Sequence, residues 1–562
     1  MRTTEHAGER RDVAGGLRTT AQVVGHTLAE LGVAHAFAVL GSGNLVATNA
    51  MAAAGVPVTR ARHEGGAVCM ASAYGRVNGG LAVCSVHQGP GLTNAMTGLA
   101  DAAKTRTPLV VLAADSSAGA TDSTFYIDQD ALARTAGAIG ERVWSAATAT
   151  ADVHRAVGRS LDERLPVVLN VPLDVQAQPA QPGALAPQPR RFPTAPAAEA
   201  VSHLADLLTA AARPLILAGR GAVGAADALL DLGERTGALY ATSALANGLF
   251  AGNPWSLGIA GGFSSPTTAA LIRQADLILG MGVGFRDWTT RHGALIGDGA
   301  TVVQVDADPT ALGRHRPVDV AIVGDTAATA TAVSGELARS GAPAGTWRTD
   351  ALAAQIQEGQ WRHQPYTDAS AGGRLDPRTV AIRLNEVLPA ERTVVVDGGD
   401  NTGYPILYWD VPDPSGFVFT SAGFQSIALG LSSAVGAAIA RPDRLTVASV
   451  GDGGLLMAAS ELETVARLGL RLLVVVFNDA AYGAEVHHFR PAGEPVELVQ
   501  FPETDAAAWA AALGIASCRV RTLDDLEPVE AWITDGTGPM LVDVRIDPDV
   551  VLDWAAEAFK GH

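Results

Sequence analysis

Two groups of oxygen-bearing side chains in the last third of the chain are placed to share one ligand site. Asp452 follows the apolar run "LTVASV" inside a Gly-Asp-Gly-Gly turn, and Asn478-Asp479 ends the next apolar run, "RLLVVVF". A helical stretch separates the runs, so we expect two parallel strands whose carboxyl ends meet at one crevice. Glycines let a ligand approach the backbone, and the start of the helix favours an anion such as phosphate. Carboxylate and amide oxygens beside a phosphate predict a Mg²⁺ site.

A second set of candidate residues lies in the first hundred positions. Glu64 stands before a helical stretch that begins with two glycines, and His87 and Asn94 flank the turn Gly89-Pro90-Gly91. Taken alone, Glu64 is typical of a glutamate that caps a helix, and a single histidine is more often structural than catalytic. A histidine is also the side chain best suited to moving protons near neutral pH, which keeps the catalytic interpretation open.

The composition favours a small-molecule partner. The chain has 562 residues, is 48% hydrophobic and carries a formal net charge of −18. No run of Lys and Arg indicates binding to nucleic acid or to an anionic membrane. Three cysteines without metal-ligand spacing fit a reducing compartment. The charged first residues lack the apolar core of a signal peptide, and no apolar stretch is long enough to cross a bilayer. We therefore expect a cytoplasmic protein.

Short apolar or β-branched runs alternate with Ala- and Leu-rich helical stretches along the whole chain. Continuous apolar strands between helices predict parallel sheets covered on both faces, so the expected fold class is α/β with three doubly wound parallel-sheet domains. Proline-rich and glycine-rich stretches set the expected boundaries. These are a disordered leader at 1–18, a first domain at 19–180, a Pro-rich linker at 181–200, a central domain at 201–340, a linker at 341–372 and a third domain at 373–562.

Together, the GDGG turn, the Asn-Asp pair and the following Tyr482-Gly483 resemble the motif of thiamine diphosphate-dependent enzymes. The Glu64 stretch and the GPG turn are similar to that family's glutamate and GPG-x-x-N motifs, and the likeness covers most of the chain. The whole is similar to the group of acetolactate synthase, benzoylformate decarboxylase and pyruvate decarboxylase. The resemblance implies a first domain that binds the cofactor's pyrimidine, a third domain that binds its diphosphate and Mg²⁺, and a homodimer or homotetramer.

The resemblance also assigns residues to roles. Glu64 would hydrogen-bond the aminopyrimidine ring, Ile427 would wedge the cofactor into a bent conformation, and the carbonyl of Gln425 would accept from the 4'-amino group. Asp479 stands where the family usually has Asn. The implied catalytic residues are Glu64, His87, Ser42 and Glu485, the implied metal ligands are Asp452, Asp479 and the backbone carbonyl of Ala481, and the implied cofactor-binding residues are Glu64, Gly89, Pro90, Asn94, Gln425, Ile427, Gly451, Asp452, Gly453, Gly454, Asn478, Tyr482 and Gly483.

Two further patterns remain open to a structural interpretation. His487 and His488 are weaker candidates for the active site, with a solvated pair on a helix as the alternative. Gly219, Gly221 and Gly224 form a G-x-G-x-x-G after a strand, which alone would indicate a nicotinamide dinucleotide site. The acidic residue that such a site needs on the next strand is absent from 238–248, so we interpret the glycines as close packing of a helix on a strand. Whether the central domain binds FAD stays undecided.

The resemblance implies a reaction through a C2 carbanion and an enamine. The first-domain loop reads Leu-Gly-Ser-Gly where acetolactate synthase has Pro-Gly-Gly, and the stretch 123–135 lacks the usual Phe-Gln-Glu. We therefore expect a decarboxylase or carboligase acting on a 2-oxo acid, with an aldehyde or a second oxo acid as the acceptor in a carboligation. The alternatives are acetolactate synthase proper, a non-decarboxylating C–C lyase for a 2-hydroxyacyl-CoA or a diketone, and a catalytically silent regulator that binds thiamine diphosphate.

Overall fold

The computed structural model describes residues 18–186, 191–341, 343–558 and 560. These residues divide into two compact units. The first unit comprises the described residues up to 68 together with 80–99 and 106–186, and the second comprises 69–79, 100–105 and the described residues from 191 onward. Residues 1–17 of the expected leader lie outside the described residues, whereas Arg18 pairs with Ala180 in a short antiparallel ladder.

The first domain contains a six-stranded sheet in the order β3-β2-β4-β5-β7-β6, and its strand pairs are parallel. Its strands are β1 (Arg18–Thr19), β2 (His35–Ala38), β3 (Val58–Arg60), β4 (Ala82–Val86), β5 (Leu109–Asp115), β6 (Ile139–Arg142), β7 (Pro166–Pro172) and β8 (Pro179–Ala180). Its helices are α1 (Thr20–Glu30), α2 (Leu45–Ala53), α3 (Glu64–Asn78), α4 (Pro90–Asn94), α5 (Met96–Lys104), α6 (Gln129–Thr135), α7 (Ala149–Glu163) and α8 (Leu173–Gln176).

The central domain repeats this architecture with the strand order β11-β10-β9-β12-β13-β14, again parallel. Its strands are β9 (Pro214–Ala218), β10 (Leu239–Thr242), β11 (Ser256–Ile259), β12 (Leu277–Met281), β13 (Thr301–Asp306) and β14 (Val320–Val323). Its helices are α9 (Ala198–Ala210), α10 (Ala226–Thr236), α11 (Pro266–Gln274), α12 (Asp287–Thr290), α13 (Thr326–Ser340) and α14 (Asp350–Glu358).

The third domain has a third parallel sheet, in the order β16-β15-β17-β18-β20-β19. Its strands are β15 (Arg392–Val396), β16 (Phe417–Phe419), β17 (Leu445–Gly451), β18 (Leu472–Asn478), β19 (Ala516–Val520) and β20 (Met540–Arg545). Its helices are α15 (Pro377–Val387), α16 (Gly403–Tyr408), α17 (Gly430–Ala440), α18 (Asp452–Met457), α19 (Glu461–Leu468), α20 (Gly483–Phe489), α21 (Ala506–Ala512), α22 (Glu527–Asp535) and α23 (Asp553–Ala558).

The expected fold class of three doubly wound parallel-sheet domains is confirmed. Its cause is visible in β18, whose seven residues are all buried because helices cover both faces of the sheet. The expected linkers contain some regular structure. Helix α9 begins at Ala198, and α14 lies within 341–372 and buries Leu352 and Ile356 against the core of the central domain. Across the described part of the chain, every helix is too short or too polar to span a membrane.

In each sheet the chain first builds one edge and then continues on the opposite side of its first strand, and ligands of doubly wound sheets bind at this switch point. This switch point lies between β2 and β4 in the first domain and between β15 and β17 in the third. In the central domain it lies between β9 and β12, where the backbone of Gly219 and Gly221 approaches Gly282. A Cβ added to Gly219 would meet the Gly282 carbonyl oxygen at 2.3 Å, so these two glycines allow close packing of the two strand ends.

The same packing makes a stability prediction for the glycine motif. We expect Gly219→Ala to lower the free energy of unfolding by about 1 to 3 kcal/mol, because the added methyl group overpacks a backbone contact. Gly224→Ala is the matched control. Its Cβ would meet no described atom within 4 Å, and a change within about 0.5 kcal/mol is expected. Urea unfolding of the full-length chain measures both variants, and equal destabilisation would contradict the packing interpretation.

Candidate active site

Two carboxyl groups meet at the carboxyl edge of the third-domain sheet. Asp452 is the first residue of α18, directly after β17, and Asp479 directly follows β18. Because β17 and β18 are neighbouring parallel strands, their ends lie side by side, and the two carboxyl groups are within hydrogen-bonding reach of each other. Two carboxyl groups at this separation share a proton or a cation.

The electrostatics of this pair favour a bound cation. Burial, together with the charges of Asp452 and Asp400, raises the pKa of Asp479 to about 8. Burial also raises the pKa of Asp452, to about 6. The pair therefore holds a proton near neutral pH, which a divalent cation can replace. Carboxylate oxygens suit Mg²⁺, so the chemistry of these donors fits that metal.

The turn after β18 is held in place by its own polar groups. The Asn478 side chain accepts from the Ala480 amide and donates to the Asp543 carboxylate at 2.9 Å, so it anchors the turn to β20. Asp479 accepts from the Ala481 amide at 3.0 Å. The Tyr482 amide donates to the Val499 carbonyl. Asn478 is thus engaged in supporting the turn, while Asp479 and Ala481 remain at the sheet edge.

Two glycines of the predicted motif are required by close contacts. A Cβ on Gly453 would lie 2.6 Å from the ring of Tyr482, and a Cβ on Gly483 would lie 2.2 Å from an Asp479 carboxylate oxygen. Ala480 has a φ of +60°, and it lies in the same turn. Non-glycine residues in this region are strained, and such strain is concentrated at ligand-binding turns.

The loop that carries Gln425 and Ile427 is fastened at both ends. At one end, the buried Asp397 carboxylate accepts from the amides of Ala428, Leu429 and Gly430 at 3.0 Å each. At the other, the Asp101 carboxylate accepts from the amides of Gly423 and Phe424 at 3.3 Å.

Ile427 itself lies against the glycines that follow β15. Its backbone amide would be 3.3 Å from a Cβ on Gly398, and its side chain would be 3.5 Å from a Cβ on Gly399. The loop therefore borders the third-domain switch point.

Sequence reasoning missed Asp400 and Tyr404 at the same edge. The sequence does contain a signal for Asp400, which follows the apolar run in "RTVVVDGG". Polar residues after such a run lie at the edge of the sheet where ligands bind. The Tyr404 hydroxyl donates to Asp400 at 2.6 Å. A Cβ on Gly483 would lie 3.4 Å from the Asp400 Cβ, which places Asp400 beside the Asp479 turn.

Helix α20 carries the remaining third-domain candidates. Glu485 is exposed in its first turn. His487 is not part of a solvated pair: its side chain is 4% exposed and contacts Asp400. The reason is that residue 487 lies one turn after Gly483, on the side of the helix that faces the sheet edge. His488 packs its ring against Phe489, with the ring centroids 4.6 Å apart.

In the first unit, Glu64 and Asn94 form a pair. Glu64 is the first residue of α3, Asn94 is the last residue of α4, and the Asn94 amide group donates to Glu64 at 3.0 Å. A Cβ on Gly91 would meet both His87, at 3.2 Å, and Glu64, at 3.5 Å. The structure therefore brings Glu64, Asn94 and His87 together around the GPG turn.

His87 is oriented by three neighbours. Its Nδ1 accepts from the Gln88 amide at 2.9 Å, so in the neutral ring the proton is on Nε2. The ring lies 5.2 Å from the ring of Phe125, and a Cβ on Gly41 would be 2.6 Å from it. Ser42 is exposed in the loop next to Gly41, so this loop and His87 share the first-domain switch point.

A buried network that the sequence did not reveal holds the GPG turn. The Gly89 amide donates to the Gln129 side chain at 2.7 Å. Gln129 donates in turn to Asn170 at 2.8 Å, and Asn170 donates to Asp130 at 2.7 Å. Gly89 has a φ of +58°, and a Cβ there would lie 2.2 Å from the Phe125 carbonyl oxygen. Pro90 then begins α4, where its missing N–H costs no hydrogen bond.

The raised pKa values predict how metal and pH act on Asp479→Asn. A carboxyl group whose pKa is raised in the folded state binds a proton on folding, so metal-free wild type should gain stability as pH falls from about 8 towards 4. Replacing Asp479 removes this contribution. At pH 8 without metal, we expect the variant to be more stable than wild type by about 1 to 3 kcal/mol.

Thermal unfolding with EDTA and with Mg²⁺ plus thiamine diphosphate measures both effects. The increase in melting temperature caused by Mg²⁺ should be smaller in Asp479→Asn than in wild type. The exposed Asp524→Asn in the same domain serves as the control. An unchanged metal dependence in Asp479→Asn would show that Asp479 is not a metal ligand.

Comparison with known protein families finds three matches along the chain. Residues 18–141 match the N-terminal TPP binding domain of thiamine pyrophosphate enzymes, 201–333 match their central domain, and 397–544 match their C-terminal TPP binding domain. Thiamine pyrophosphate is another name for thiamine diphosphate. The three matches cover most of the chain, and one falls in each of the three sheet-containing domains.

Individual relatives carry different named activities. The chain is 31% identical over 556 residues to a probable 2-ketoarginine decarboxylase of Pseudomonas aeruginosa, covering 94% of each chain. It is 28% identical over 541 residues to the acetolactate synthase isozyme 2 large subunit of Escherichia coli, covering 94% of this chain and 95% of that protein. It is 29% identical over 511 residues to a sulfoacetaldehyde acetyltransferase of Alcaligenes xylosoxydans xylosoxydans, covering 85% and 84%. The family models and these full-length relatives together show that the chain belongs to the thiamine pyrophosphate enzymes.

Proposed function

We propose that this protein is a thiamine diphosphate- and Mg²⁺-dependent decarboxylase or carboligase that acts on a 2-oxo acid. The observation that carries the proposal is the Glu64–Asn94 pair, which presents an oriented carboxyl group with His87 beside it. A protein that only binds the cofactor has no need of a carboxyl group held in this way. This arrangement therefore favours an enzyme over a silent regulator.

The cofactor, when bound, supplies a carbanion and accepts the electrons released by bond cleavage. Among the residues of the chain, Glu64 is assigned to hydrogen-bond the aminopyrimidine ring, which would promote deprotonation of the cofactor. Asn94 donates to one Glu64 oxygen at 3.0 Å and leaves the other oxygen directed towards Gly91. Asn94 thus orients Glu64.

His87 is assigned to substrate binding and proton transfer. With Nδ1 accepting from the Gln88 amide, the neutral ring offers its Nε2–H as a hydrogen-bond donor. Such a donor suits the carboxylate or carbonyl oxygen of a 2-oxo acid. Ser42, in the adjoining loop, and Glu485, exposed in the first turn of α20, are the further candidates for contact with the substrate.

Asp452, Asp479 and the Ala481 carbonyl are assigned to Mg²⁺, which in turn binds the diphosphate. A cation between the two carboxylates would offset the burial that raises both pKa values and the charge of Asp452 that adds to this effect at Asp479. Close packing requires glycine at two positions of this turn, since a Cβ on Gly454 would lie 2.5 Å from an Asp397 carboxylate oxygen and a Cβ on Gly453 would lie 2.6 Å from Tyr482. Asp479 stands in place of the usual Asn and adds a second negative charge to that of Asp452. Without a cation, these two charges would repel the diphosphate, so the site depends more strongly on the metal.

We further propose a homodimer, or a dimer of such dimers, in the cytoplasm. The first domain of one copy and the third domain of another would complete each cofactor site. Large apolar side chains are exposed around both sets of site residues, which supports burial against a second copy. In the first unit these are Leu40, Leu45, Val46, Phe125 and Tyr126, and in the second unit they include Phe424, Met457, Phe489, Leu498 and Phe501.

The dimer proposal predicts the mass of the protein in solution. Light scattering after gel filtration should give at least twice the chain mass of 57.6 kDa, because the exposed apolar surface is then buried. A stable species of the mass of one chain, with thiamine diphosphate and Mg²⁺ present, would contradict the proposal.

The reaction is tested by CO₂ release from pyruvate, benzoylformate and 2-ketoarginine, with chromatography of the products. The last substrate is included because a relative is named for it. We expect release from at least one acid with thiamine diphosphate and Mg²⁺, and a loss of at least about 100-fold in Glu64→Gln, whose amide cannot take part in the same proton transfer. An aldehyde product identifies a decarboxylase, and an acyloin or 2-hydroxy-3-oxo acid product identifies a carboligase or acetolactate synthase.

Asp524→Asn is the control for handling and folding in this assay. No CO₂ from any of the three acids, with the cofactor bound, would overturn the decarboxylase proposal. Release that persists in Glu64→Gln would remove Glu64 from the assigned role.

A further inference from the structure

His487 is buried against Asp400 at the carboxyl edge of the third-domain sheet. Its side chain is 4% exposed, that of Asp400 is 7% exposed, and Nδ1 of His487 lies 3.2 Å from Oδ1 of Asp400. Nε2 of His487 lies 2.8 Å from the carbonyl oxygen of Pro548. His487 therefore connects α20 to the loop after β15 and to the segment after β20.

The partners define the protonation of this histidine. A carbonyl oxygen only accepts, so Nε2 must carry a proton. On the other side, the proton between Nδ1 and Asp400 belongs either to an imidazolium ring facing a carboxylate or to a carboxylic acid facing a neutral ring. In both cases the His487–Asp400 pair has no net charge. Burial opposes the cationic ring, but the bond to Asp400, its charge and the Pro548 carbonyl outweigh burial and raise the pKa of His487.

Asp400 has its second oxygen engaged as well. The Tyr404 hydroxyl donates to Oδ2 at 2.6 Å, and Tyr404 is 1% exposed. Burial and the Asp400 charge raise the pKa of Tyr404 well above its usual value, so it stays a donor. With one oxygen on Tyr404 and the other on His487, Asp400 differs from Asp452 and Asp479, which face each other at the sheet edge.

We infer that His487 is a positioning residue that neutralises Asp400, so that Asp452 and Asp479 are left as the pair of carboxylates acting on the metal and the diphosphate. This inference rests on the proposed function, because it concerns how the same site admits a diphosphate. Without His487, a third buried carboxylate beside the Asp479 turn would repel the diphosphate. Asp400 would then add to the negative charge that the divalent cation has to offset.

The test compares four full-length variants with wild type by titration calorimetry of thiamine diphosphate in the presence of Mg²⁺. His487→Gln keeps a hydrogen-bond donor but cannot carry a positive charge. We expect its Kd for thiamine diphosphate to rise at least about tenfold, equivalent to about 1.4 kcal/mol. Adding Asp400→Asn to His487→Gln removes the uncompensated charge and should restore the Kd to within about threefold of wild type. The Kd of Asp400→Asn alone should also stay within about threefold of wild type, because this variant has no negative charge at position 400 that lacks a partner.

His203→Gln, at an exposed histidine of α9, is the control for a His-to-Gln change, and we expect its Kd to stay within about twofold of wild type. Circular dichroism and the thermal midpoint check that each variant is folded. A His487→Gln protein that folds and binds within about twofold of wild type would overturn the inference. So would a double variant as weak as His487→Gln, since this would show a packing role that charge removal does not rescue.

Failure of the inference and failure of the proposed function give different results. Wild type that does not bind thiamine diphosphate with Mg²⁺ would remove the proposed function and the inference with it. Wild type that binds, with His487→Gln unaffected, would remove the inference alone. If His487→Gln does not fold, a tenfold or greater rise of Kd in Asp400→Asn is the result that overturns the inference.

Discussion

The arrangement of the third domain depends on the cost of placing carboxylates side by side at the edge of a buried sheet. Asp400, Asp452 and Asp479 converge where β15, β17 and β18 end, and burial raises the pKa of the last two. Charges in such a place need a partner, because the low dielectric increases both their repulsion and their desolvation cost. His487 and Tyr404 satisfy Asp400 within the chain. The raised pKa of Asp479, about 8, favours a proton on the Asp452–Asp479 pair near neutral pH, which a cation can displace.

The surrounding architecture serves to hold these charges at fixed positions. Gly453 packs against Tyr482, Gly454 against Asp397 and Gly483 against Asp479, so the turns after β15, β17 and β18 lie close together. The Asn478 side chain anchors the Asp479 turn to β20. In the first unit a similar role falls to Gln129, which holds the Gly89 amide and so shapes the turn between His87 and Asn94. In both places a buried amide side chain forms hydrogen bonds with backbone groups of a turn, which have no partner in a strand or helix.

One topology occurs three times in the chain and is used in different ways. At the switch points of the first and third domains, polar side chains gather after the strands. At the switch point of the central domain, Gly219 and Gly221 pack against Gly282 instead. A G-x-G-x-x-G sequence alone does not separate a phosphate-binding turn from such a contact, since both need glycine for close approach. The partner across the contact decides between them, and only the folded chain reveals that partner.

The amino-acid sequence by itself determined the three parallel sheets, their order and the family, because apolar runs and glycine-carboxylate turns are local patterns. It also predicted site roles for Glu64, Asn94, His87, Asp452 and Asp479, which stand next to strands or helices whose ends are evident from the sequence. Only the tertiary structure decided that His487 is buried against Asp400, that Gln129 supports the GPG turn and that Asn478 anchors its own turn. These contacts join residues 40 to 87 positions apart, or depend on which face of a helix is covered. Spacing along the chain does not encode such contacts, because they arise only when neighbouring strands bring distant turns to one edge.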